Sequence, residues 1–364
     1  MSDWRDTPSL VSAMVFAVGW LAGWVGFVRA RHLPRASGTS LTSTSTTATR
    51  RPVSVIIPCR NEADNLAELL PNLFGVLHAD DQVIVVDDDS TDATAAIAQD
   101  HPVVVVSGGA LPPGWAGKSF ACWRGAQQSA HDALVFLDAD VRLGPTAMND
   151  IMVVLQQHPE ALVSVLPFHR TVTRVERLSM MFNVISSMVA SVTTKTEARR
   201  VAYGPFMAVY RNTYLRSGGH AHASVRSAVV EDLALARVMP LTVPLLAHES
   251  QVEYRMYANG LRQFIEGWTK NTAIGAASVP RWSSMLVIAW VVSLCGGTLI
   301  SVWLCALSAV QMFVLARRVG NFGVVSAVLY PLHVLTFVLV ALRSLVRSAL
   351  FGSVVWRGRQ IATR

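Results

Sequence analysis

Apolar residues follow three different patterns along this chain. Residues 9–28 are apolar and carry no charge, and a run of about 20 such residues can cross a bilayer core. Residues 52–281 have the mixed composition of a folded domain. Two further apolar runs follow at 285–316 and at 322–342, the second with His333 but no Asp, Glu, Lys or Arg. The pattern predicts a globular domain between membrane-embedded segments.

The first apolar segment is interpreted as an uncleaved membrane anchor. A cleaved secretory signal carries its basic residues before the apolar run. Here the arginine cluster follows the run and begins at Arg29, Arg31 and Arg35. The positive-inside rule then places the N-terminus outside and the following domain in the cytoplasm. A cleavable signal is the alternative interpretation.

The 32 apolar residues at 285–316 are long for one span and short for two. A single tilted helix leaves the C-terminal arginines inside and gives three spans in the whole chain. A hairpin at Gly296 and Gly297 places those arginines outside. We expect the single helix. The predicted division is an anchor at 1–30, a basic Ser/Thr-rich linker at 31–51, a cytoplasmic domain at 52–281, C-terminal membrane helices at 282–342 and a basic tail at 343–364.

Short β-branched runs alternate with helical patterns in the cytoplasmic domain. Strands are predicted at 53–58, 82–89, 103–107 and 133–140. Helices are predicted at 62–77, 91–99 and 115–130. Continuous apolar strands alternating with helices are typical of a parallel sheet covered on both faces. Ligands of such sheets bind beyond the carboxyl ends of the strands. Those ends carry polar clusters at 58–62, 87–89 and 138–140, which we expect to converge on one edge.

Composition and charge narrow the class of protein. The chain is 52% hydrophobic and 15% charged, whereas an ordinary soluble domain carries about 25% charged residues. The net charge of +7 comes from arginines that flank the apolar runs, which indicates anionic lipid and argues against a nucleic-acid surface. Four cysteines without a C-x-x-C pair exclude a disulfide scaffold and give no sign of structural zinc.

The acidic clusters are candidate ligands for a hard cation. Asp138 and Asp140 follow a buried strand, where two carboxylates are costly without a cation or hydrogen bonds. Oxygen ligands suit Mg²⁺ or Mn²⁺, which usually also bind substrate phosphates. A turn or a helix cap is the alternative role for these aspartates and for those at 87–89. Lys118 follows glycines and is a candidate phosphate ligand, although no Walker loop and no G-x-G-x-x-G motif is present.

Taken in order, these motifs resemble the family-2 glycosyltransferases. They are P-C-R-N-E at 58–62, V-D-D-D-S-T-D at 86–92, G-W-A-G-K at 114–118, L-D-A-D at 137–140, E-D at 231–232 and R-Q-F-I-E-G-W-T-K-N at 262–271. The layout is most similar to the membrane-bound hopanoid- and carotenoid-associated group. The resemblance implies an α/β, Rossmann-like GT-A sheet with N- and C-terminal transmembrane helices, in a multi-pass protein of the cell membrane.

The resemblance also implies an activity and a set of site residues. The reaction would be inverting transfer of a hexose, with UDP-glucose as the expected donor, to a carotenoid or other isoprenoid acid or alcohol. A polyprenyl phosphate or glycerolipid acceptor, or a non-catalytic membrane scaffold, is the alternative. The residues implied for the nucleotide sugar are Pro58, Arg60, Glu62, Asp87, Asp88, Lys118 and Asp138. Asp138 and Asp140 are implied for Mg²⁺ or Mn²⁺, and Asp232 is implied as the base beside Glu231. Contacts with acceptor or diphosphate are implied for Arg262, Trp268 and Lys270.

Some positions depart from the family or stay open. Asp89 stands where the family most often has glycine, and the Q-x-x-R-W element of processive synthases is missing, which argues against polysaccharide synthesis. From the residues alone, Glu231 and Asp232 also fit a charged helix start. The apolar segment 178–194 fits an interfacial helix, a lid or a buried core helix. His248 is the best histidine candidate for a metal ligand.

Overall fold

The chain divides into two compact units in the computed structural model, which describes residues 10–28, 30–35, 50–193, 201–278, 281–351, 353–356 and 359–362. The first unit contains residues 32–168 and 196–254, and we name it the sheet unit. The second contains residues 1–31, 169–195 and 255–364, and we name it the helical unit. Most of the predicted linker, at 36–49, lies outside the described residues.

The predicted alternation of strands and helices is present between residues 53 and 140, with bounds that differ from the expected ones by a few residues. The strands are β1 (Val53–Cys59), β2 (Gln82–Asp87), β3 (Val104–Ser107), β4 (Ala133–Leu137), β5 (Val141–Leu143), β6 (Ala161–Leu166), β7 (Phe168–His169), β8 (Phe206–Tyr210), β9 (Leu241–Leu246), β10 (Val252–Tyr254), β11 (Ser353–Trp356) and β12 (Arg359–Ala362). The helices are α1 (Leu10–Phe27), α2 (Ala63–Phe74), α3 (Thr94–Gln99), α4 (Gly117–Gln127), α5 (Ala147–Gln157), α6 (Arg174–Arg177), α7 (Met180–Thr193), α8 (Arg211–Arg216), α9 (Ala223–Arg226), α10 (Glu231–Val238), α11 (Leu261–Ser278), α12 (Arg281–Ile300), α13 (Val302–Ala316), α14 (Val324–Val328) and α15 (Tyr330–Phe351).

The main sheet lies in the sheet unit. Within the described residues it has seven strands in the order β3-β2-β1-β4-β8-β6-β9. β1 to β4 are parallel, as expected, whereas β8 is antiparallel to both β4 and β6, so the complete sheet is mixed. The chain leaves β1 towards β2 on one side and returns to β4 on the other. Such a switch point opens a crevice at the carboxyl ends of the strands, where ligands of α/β sheets bind.

Helix α4 is held close to the centre of this sheet. A Cβ atom at Gly125 would lie 2.4 Å from Cγ2 of Ile56 on β1, so the helix backbone rests directly on the strand. Ile56 and its neighbour Phe136 on β4 are both buried in the core of the unit. Because α4 follows β3 in a parallel arrangement, its first turn, which carries Lys118, lies at the carboxyl edge of the sheet.

The helical unit contains the membrane candidates. Among the described residues, three helices are long and apolar enough to cross a membrane, namely α1, α12 and residues Tyr330–Leu350 of α15. α1 packs against α12 at Gly19, where a Cβ atom would lie 2.3 Å from the carbonyl oxygen of Ala289. Small residues that let helix backbones approach closely are typical of helix contacts in membranes.

The expectation of one helix over residues 285–316 is wrong. α12 ends at Ile300, and α13 begins at Val302. Ser301 between them is extended, with φ −156° and ψ 140°, and its hydroxyl accepts the backbone N–H of Trp303. A serine at this position caps the following helix by satisfying one of its otherwise unpaired N–H groups. Apolar composition alone did not reveal this cap.

The two helices form a hairpin that turns at Ser301 and not at the glycines considered above. The indole N–H of Trp290 on α12 donates to Oε1 of Gln311 on α13 at 2.9 Å, so α13 returns along α12. With 15 residues, α13 is shorter than the three candidate spans. Helix α15 also continues to Phe351, beyond the expected end of the membrane region at 342. The five-part division of the chain stays a prediction.

Residues 180–193 of the apolar segment at 178–194 form α7 inside the helical unit. Its methionines Met180, Met181 and Met188 are buried. Met188 lies against Gly26 of α1, where a Cβ atom would be 2.1 Å from the methionine Cγ. These contacts favour the buried core helix among the roles that the sequence left open.

Candidate active site

The first part of the site is formed by the loops after β1 and β2. The guanidinium of Arg60 donates to the carbonyl oxygen of Asp88 at 2.9 Å and lies 3.6 Å from its carboxylate. The backbone N–H of Asp88 donates in turn to the carbonyl oxygen of Cys59 at 2.8 Å. Asp87 is the last residue of β2 and lies opposite Cys59, and Pro58 precedes Cys59 on β1. The predicted nucleotide-binding residues of both strands therefore meet at one edge of the sheet.

Hydroxyl side chains link these two loops by hydrogen bonds, and these roles were not predicted from the sequence. The backbone N–H of Asn61 donates to Oγ of Ser90 at 2.9 Å. The backbone N–H of Glu62 donates to Oγ1 of Thr94 at 2.9 Å, and the Thr94 hydroxyl donates to Asp92. Thr94 is fully buried. The signal for these roles was the S-T-D-A-T run directly after the acidic cluster.

Two loop residues adopt left-handed backbone conformations. Asn61 has φ 53° and Asp89 has φ 58°. Asparagine and aspartate adopt this conformation more readily than other residues with a Cβ atom, because their short polar side chains can bond to nearby backbone. The φ angle explains how Asp89 can occupy the position where the family most often has glycine.

The second part of the site centres on Lys118. Its ammonium lies 2.7 Å from Oδ1 of Asp138, directly after β4, and 2.8 Å from Oε1 of Glu231, the first residue of α10. A cation in the first turn of a helix is unfavourable because the helix dipole is positive there. The two carboxylates offset this cost. Lys118 therefore joins two predicted functional motifs that lie 93 residues apart in the sequence.

Asp232 is held by backbone donors. Its Oδ2 accepts the N–H of Gly204 at 2.7 Å, and its Oδ1 accepts the N–H of Leu233 at 2.8 Å. A Cβ atom at Gly204 would lie 2.9 Å from Oδ2, so a side chain there would displace the carboxylate. The next residue, Pro205, accepts the backbone N–H of Asp138 at 2.9 Å. The segment before β8 thus links Asp232 to the aspartates after β4.

The aspartates after β4 lie in a negative environment. Burial raises the pKa of Asp140 to about 7, and the charges of Asp138 and Glu62 add to the effect. Burial also raises the pKa of Asp138, although the neighbouring Lys118 opposes this. Two neighbouring carboxylates repel each other when both are ionised, and a bound cation would reduce that repulsion.

Glu231 and Asp232 differ in protonation although they are neighbours. Burial would raise the pKa of Glu231, but Lys118 outweighs it and holds that pKa below its ordinary value. Burial raises the pKa of Asp232 to about 7, and the charge of Glu231 adds to it. A carboxylate whose pKa lies near neutrality is suited to accept a proton as a general base.

The donor set at Asp138 and Asp140 fits a divalent cation that also binds phosphate. Among the residues that the structure describes, no three His, Cys, Asp or Glu side chains could hold a metal ion by themselves. Mg²⁺ is usually bound through one or two carboxylates together with water and substrate phosphates. The two carboxylates of Asp138 and Asp140 supply hard oxygen donors of this kind.

His248, the histidine favoured as a metal ligand from the sequence, packs against another histidine. Its ring stacks on that of His32, with the ring centroids 4.4 Å apart. Burial and the charge of Arg35 lower the pKa of His248. The stacking and the nearby guanidinium give this histidine a packing role.

Trp268 of the E-G-W-T-K-N motif belongs to the core of the helical unit. The side chain is 5% exposed, and its indole N–H donates to Oγ of Ser179 at 3.1 Å. The indole stacks on Phe182 with the ring centroids 4.5 Å apart. Burial and a satisfied N–H favour a packing role for Trp268. Its expected contact with acceptor or diphosphate stays a prediction.

Arg262 and Lys270 lie on the same helix, α11. Arg262 is solvent-exposed and pairs with Glu266 at 3.0 Å, one turn further along the helix. Their expected contacts with acceptor or diphosphate stay a prediction.

The arrangement of strands and carboxylates defines a glycosyltransferase of the GT-A fold, and comparison with known proteins supports this class. Residues 54–218 match the model of Glycosyl transferase family 2. A protein of Staphylococcus haemolyticus named 4,4'-diaponeurosporenoate glycosyltransferase is 32% identical over 340 residues, which cover 87% of this chain and 90% of that protein. A protein of the same name from Staphylococcus aureus is 30% identical over 333 residues, with 85% and 88% coverage. The chain belongs to glycosyltransferase family 2.

Solved structures include one that spans nearly the whole chain. A mannosyltransferase from Pyrobaculum calidifontis, determined with GDP-mannose and Mn²⁺, covers 91% of this chain and 96% of its own at 15% identity. The TM-score is 0.48. A likeness at this level adds nothing on substrate.

Proposed function

We propose that this enzyme transfers a hexose from a nucleotide-diphosphate sugar, with UDP-glucose as the expected donor, to an isoprenoid acid or alcohol at the inner face of the membrane. The observation that carries the proposal is the grouping of Lys118, Asp138, Glu231 and Asp232 at the carboxyl edge of the sheet. The choice of acceptor is supported by the relatives named for diaponeurosporenoate.

The donor would bind across the two parts of the site. Arg60 and Asp88 would contact the base and ribose at the ends of β1 and β2, where Glu62 is also held. Asp138 and Asp140 would hold Mg²⁺ or Mn²⁺ next to the diphosphate. When bound, the cation would stabilise the charge that develops on the leaving group.

Asp232 would act on an acceptor that carries a hydroxyl group. The hydroxyl oxygen forms a bond to the anomeric carbon while the bond from that carbon to the diphosphate breaks. The electron pair leaves with the nucleoside diphosphate, and the hydroxyl proton moves to a carboxylate oxygen of Asp232. Attack from the side opposite the diphosphate inverts the configuration at the anomeric carbon.

An acceptor that carries a carboxyl group needs less help from Asp232. Carboxylic acids have ordinary pKa values of about 4, so such an acceptor is already ionised at neutral pH. Its own oxygen can attack the anomeric carbon without a base. The dependence of transfer on Asp232 therefore distinguishes an acid acceptor from an alcohol acceptor.

We further propose that the protein is a multi-pass protein of the cell membrane with a cytoplasmic catalytic domain. The three helices that are long and apolar enough to cross a membrane support membrane attachment. Arginines at 29, 31 and 35 follow the first of them, which supports a cytoplasmic position for the following residues.

The proposal is tested with the full-length protein in membranes or detergent. Nucleoside diphosphate release is measured with a panel of UDP- and GDP-sugars, in Mn²⁺ or Mg²⁺, and lipid products are identified by mass spectrometry. The acceptors are a carotenoid acid, its alcohol, a polyprenyl phosphate and diacylglycerol. Release that requires one sugar, a divalent cation and the carotenoid acceptor supports the proposal. Transfer only to polyprenyl phosphate or diacylglycerol would replace the acceptor, and no turnover with any pair would favour a scaffold.

A further inference from the structure

We infer that Lys118 is a positioning residue that holds the base Asp232 in register with the donor-side carboxylate Asp138. The inference rests on the proposed function for the roles of these two aspartates. It differs from the sequence-based expectation, in which Lys118 contacts the nucleotide sugar itself.

The first two contacts are made by the lysine. Its Nζ lies 2.7 Å from Oδ1 of Asp138 and 2.8 Å from Oε1 of Glu231. Glu231 is only 5% exposed, so its carboxylate has little access to water. One ammonium therefore joins the residue after β4 to the first residue of α10.

Two hydrogen bonds from backbone N–H groups complete the connection on the other side. The N–H of Asp138 donates to the carbonyl oxygen of Pro205 at 2.9 Å. The N–H of Gly204 donates to Oδ2 of Asp232 at 2.7 Å. Because Gly204 and Pro205 are adjacent in the chain, Asp138 is linked to Asp232 through this segment.

The four contacts close on themselves, since Glu231 and Asp232 are also adjacent. We name the closed set the carboxylate ring, which consists of Lys118, Asp138, Gly204, Pro205, Glu231 and Asp232. Helix α4 contributes only Lys118 to it. Removing that side chain opens the ring but removes neither the donor nor the acceptor of the two hydrogen bonds at Gly204 and Pro205.

Opening the ring has a definite physical consequence. Glu231 becomes a buried carboxylate without its partner, and such a charge is strongly destabilising. Glu231 would move towards water or take up a proton. Because Asp232 is the next residue on the same helix turn, a movement of Glu231 would also displace Asp232. A displacement of about 1 Å in a reacting group can cost about 100-fold in rate. The position of the base thus depends on Lys118 even though the lysine does not touch it in the ring.

The type of cation matters as well. The ammonium of lysine is a compact charge with three donors, which suits two carboxylates that approach from different elements. The guanidinium of arginine is larger and planar, and it suits two parallel contacts to one carboxylate. We expect arginine at position 118 to preserve the charge but to hold the two carboxylates less well.

The test compares Lys118→Met and Lys118→Arg in the full-length protein. Turnover is measured together with the affinities of UDP and UMP, and of GDP and GMP, in Mn²⁺. For Lys118→Met we expect kcat to fall about 100-fold, with partial recovery in Lys118→Arg. The ratio of diphosphate to monophosphate affinity should change less than about threefold. A fall of tenfold or more in that ratio, with kcat retained, would show that Lys118 binds the diphosphate and would overturn the inference.

A second arm needs neither donor nor turnover, so it separates this inference from the proposed function. Thermal midpoints are measured for Lys118→Met, Glu231→Gln and the double variant. Lys118→Met should lower the midpoint, and adding Glu231→Gln should restore part of the loss, because the unpaired buried charge is then gone. Losses that simply add would contradict the ring. Arg216→Met, which removes an exposed ion pair with Glu160, is the matched control and should change little.

Discussion

Asp232→Asn tests the base with little change in shape. The amide oxygen can still accept the N–H of Gly204, which donates to Oδ2 of Asp232 at 2.7 Å. The amide cannot take up a proton at neutral pH, so transfer to a hydroxyl acceptor loses its base. General-base catalysis contributes about 10²- to 10⁴-fold. We expect kcat with an isoprenoid alcohol to fall by that factor while donor affinity is retained.

The pH dependence has a direction and a size that follow from the site. Burial and the charge of Glu231 raise the pKa of Asp232 to about 7. The ionised form is the base, so transfer is present above this pKa and is lost as pH falls through it. The ionised fraction is about one tenth at pH 6 and about nine tenths at pH 8, which predicts roughly tenfold faster alcohol transfer at pH 8.

The assay measures initial rates between about pH 5.5 and 8.5, at saturating donor and constant ionic strength, with an isoprenoid alcohol and the corresponding acid. For Asp232→Asn we expect the alcohol rate to collapse and its rise with pH to disappear. The acid, which is already ionised, should lose much less. UDP binding serves as the control for folding. An alcohol rate that keeps its wild-type size and pH dependence in the variant would refute the base assignment.

Three further variants test the surroundings of the site. Gly204→Ala places a methyl group 2.9 Å from Oδ2 of Asp232, so turnover should fall while donor affinity is retained. As the control, Gly275→Ala meets no atom within 4 Å and should change neither turnover nor donor affinity. Thr94→Val removes the hydroxyl that accepts a loop N–H, and should raise the donor KM and cost about 1–3 kcal/mol in unfolding free energy, measured by denaturant titration. Trp268→Ala should lower the free energy of unfolding by about 3–5 kcal/mol and leave UDP binding in the folded fraction unchanged. Weakened UDP binding would support a ligand role for this indole.

The sheet edge could be predicted because parallel strands impose it. Three apolar runs ended in polar clusters, and the carboxyl ends of neighbouring parallel strands meet at one edge. Asp88 and Arg60 accordingly lie together, with the register of β1 and β2 opposing Cys59 to Asp87. The reversed strand β8 could not be predicted in this way, since a strand buried on both faces has the same composition in either direction.

The partners of Lys118 depended on contacts that no local pattern encodes. One of its two carboxylates directly follows β4 and the other begins α10. Helix α4 reaches both because Gly125 lets the helix lie against Ile56. The glycine is visible in the sequence, but the neighbour that it permits is not. The role of Trp268 could not be predicted for the same reason. A tryptophan near a membrane segment looks the same in the sequence whether its indole binds a ligand or packs in a core.

The paired acids at the start of α10 explain each other through charge. Lys118 keeps Glu231 ionised, and the charge of Glu231 raises the pKa of Asp232, whereas Lys118 by itself lowers the pKa of Asp232. The lysine therefore acts on the base in two opposite directions, one direct and one through its neighbour. A single aspartate at this position, with the same lysine nearby, would be ionised at lower pH and would be a weaker base. The E-D pair therefore lets the site keep one carboxylate ionised while the pKa of the other lies near neutrality.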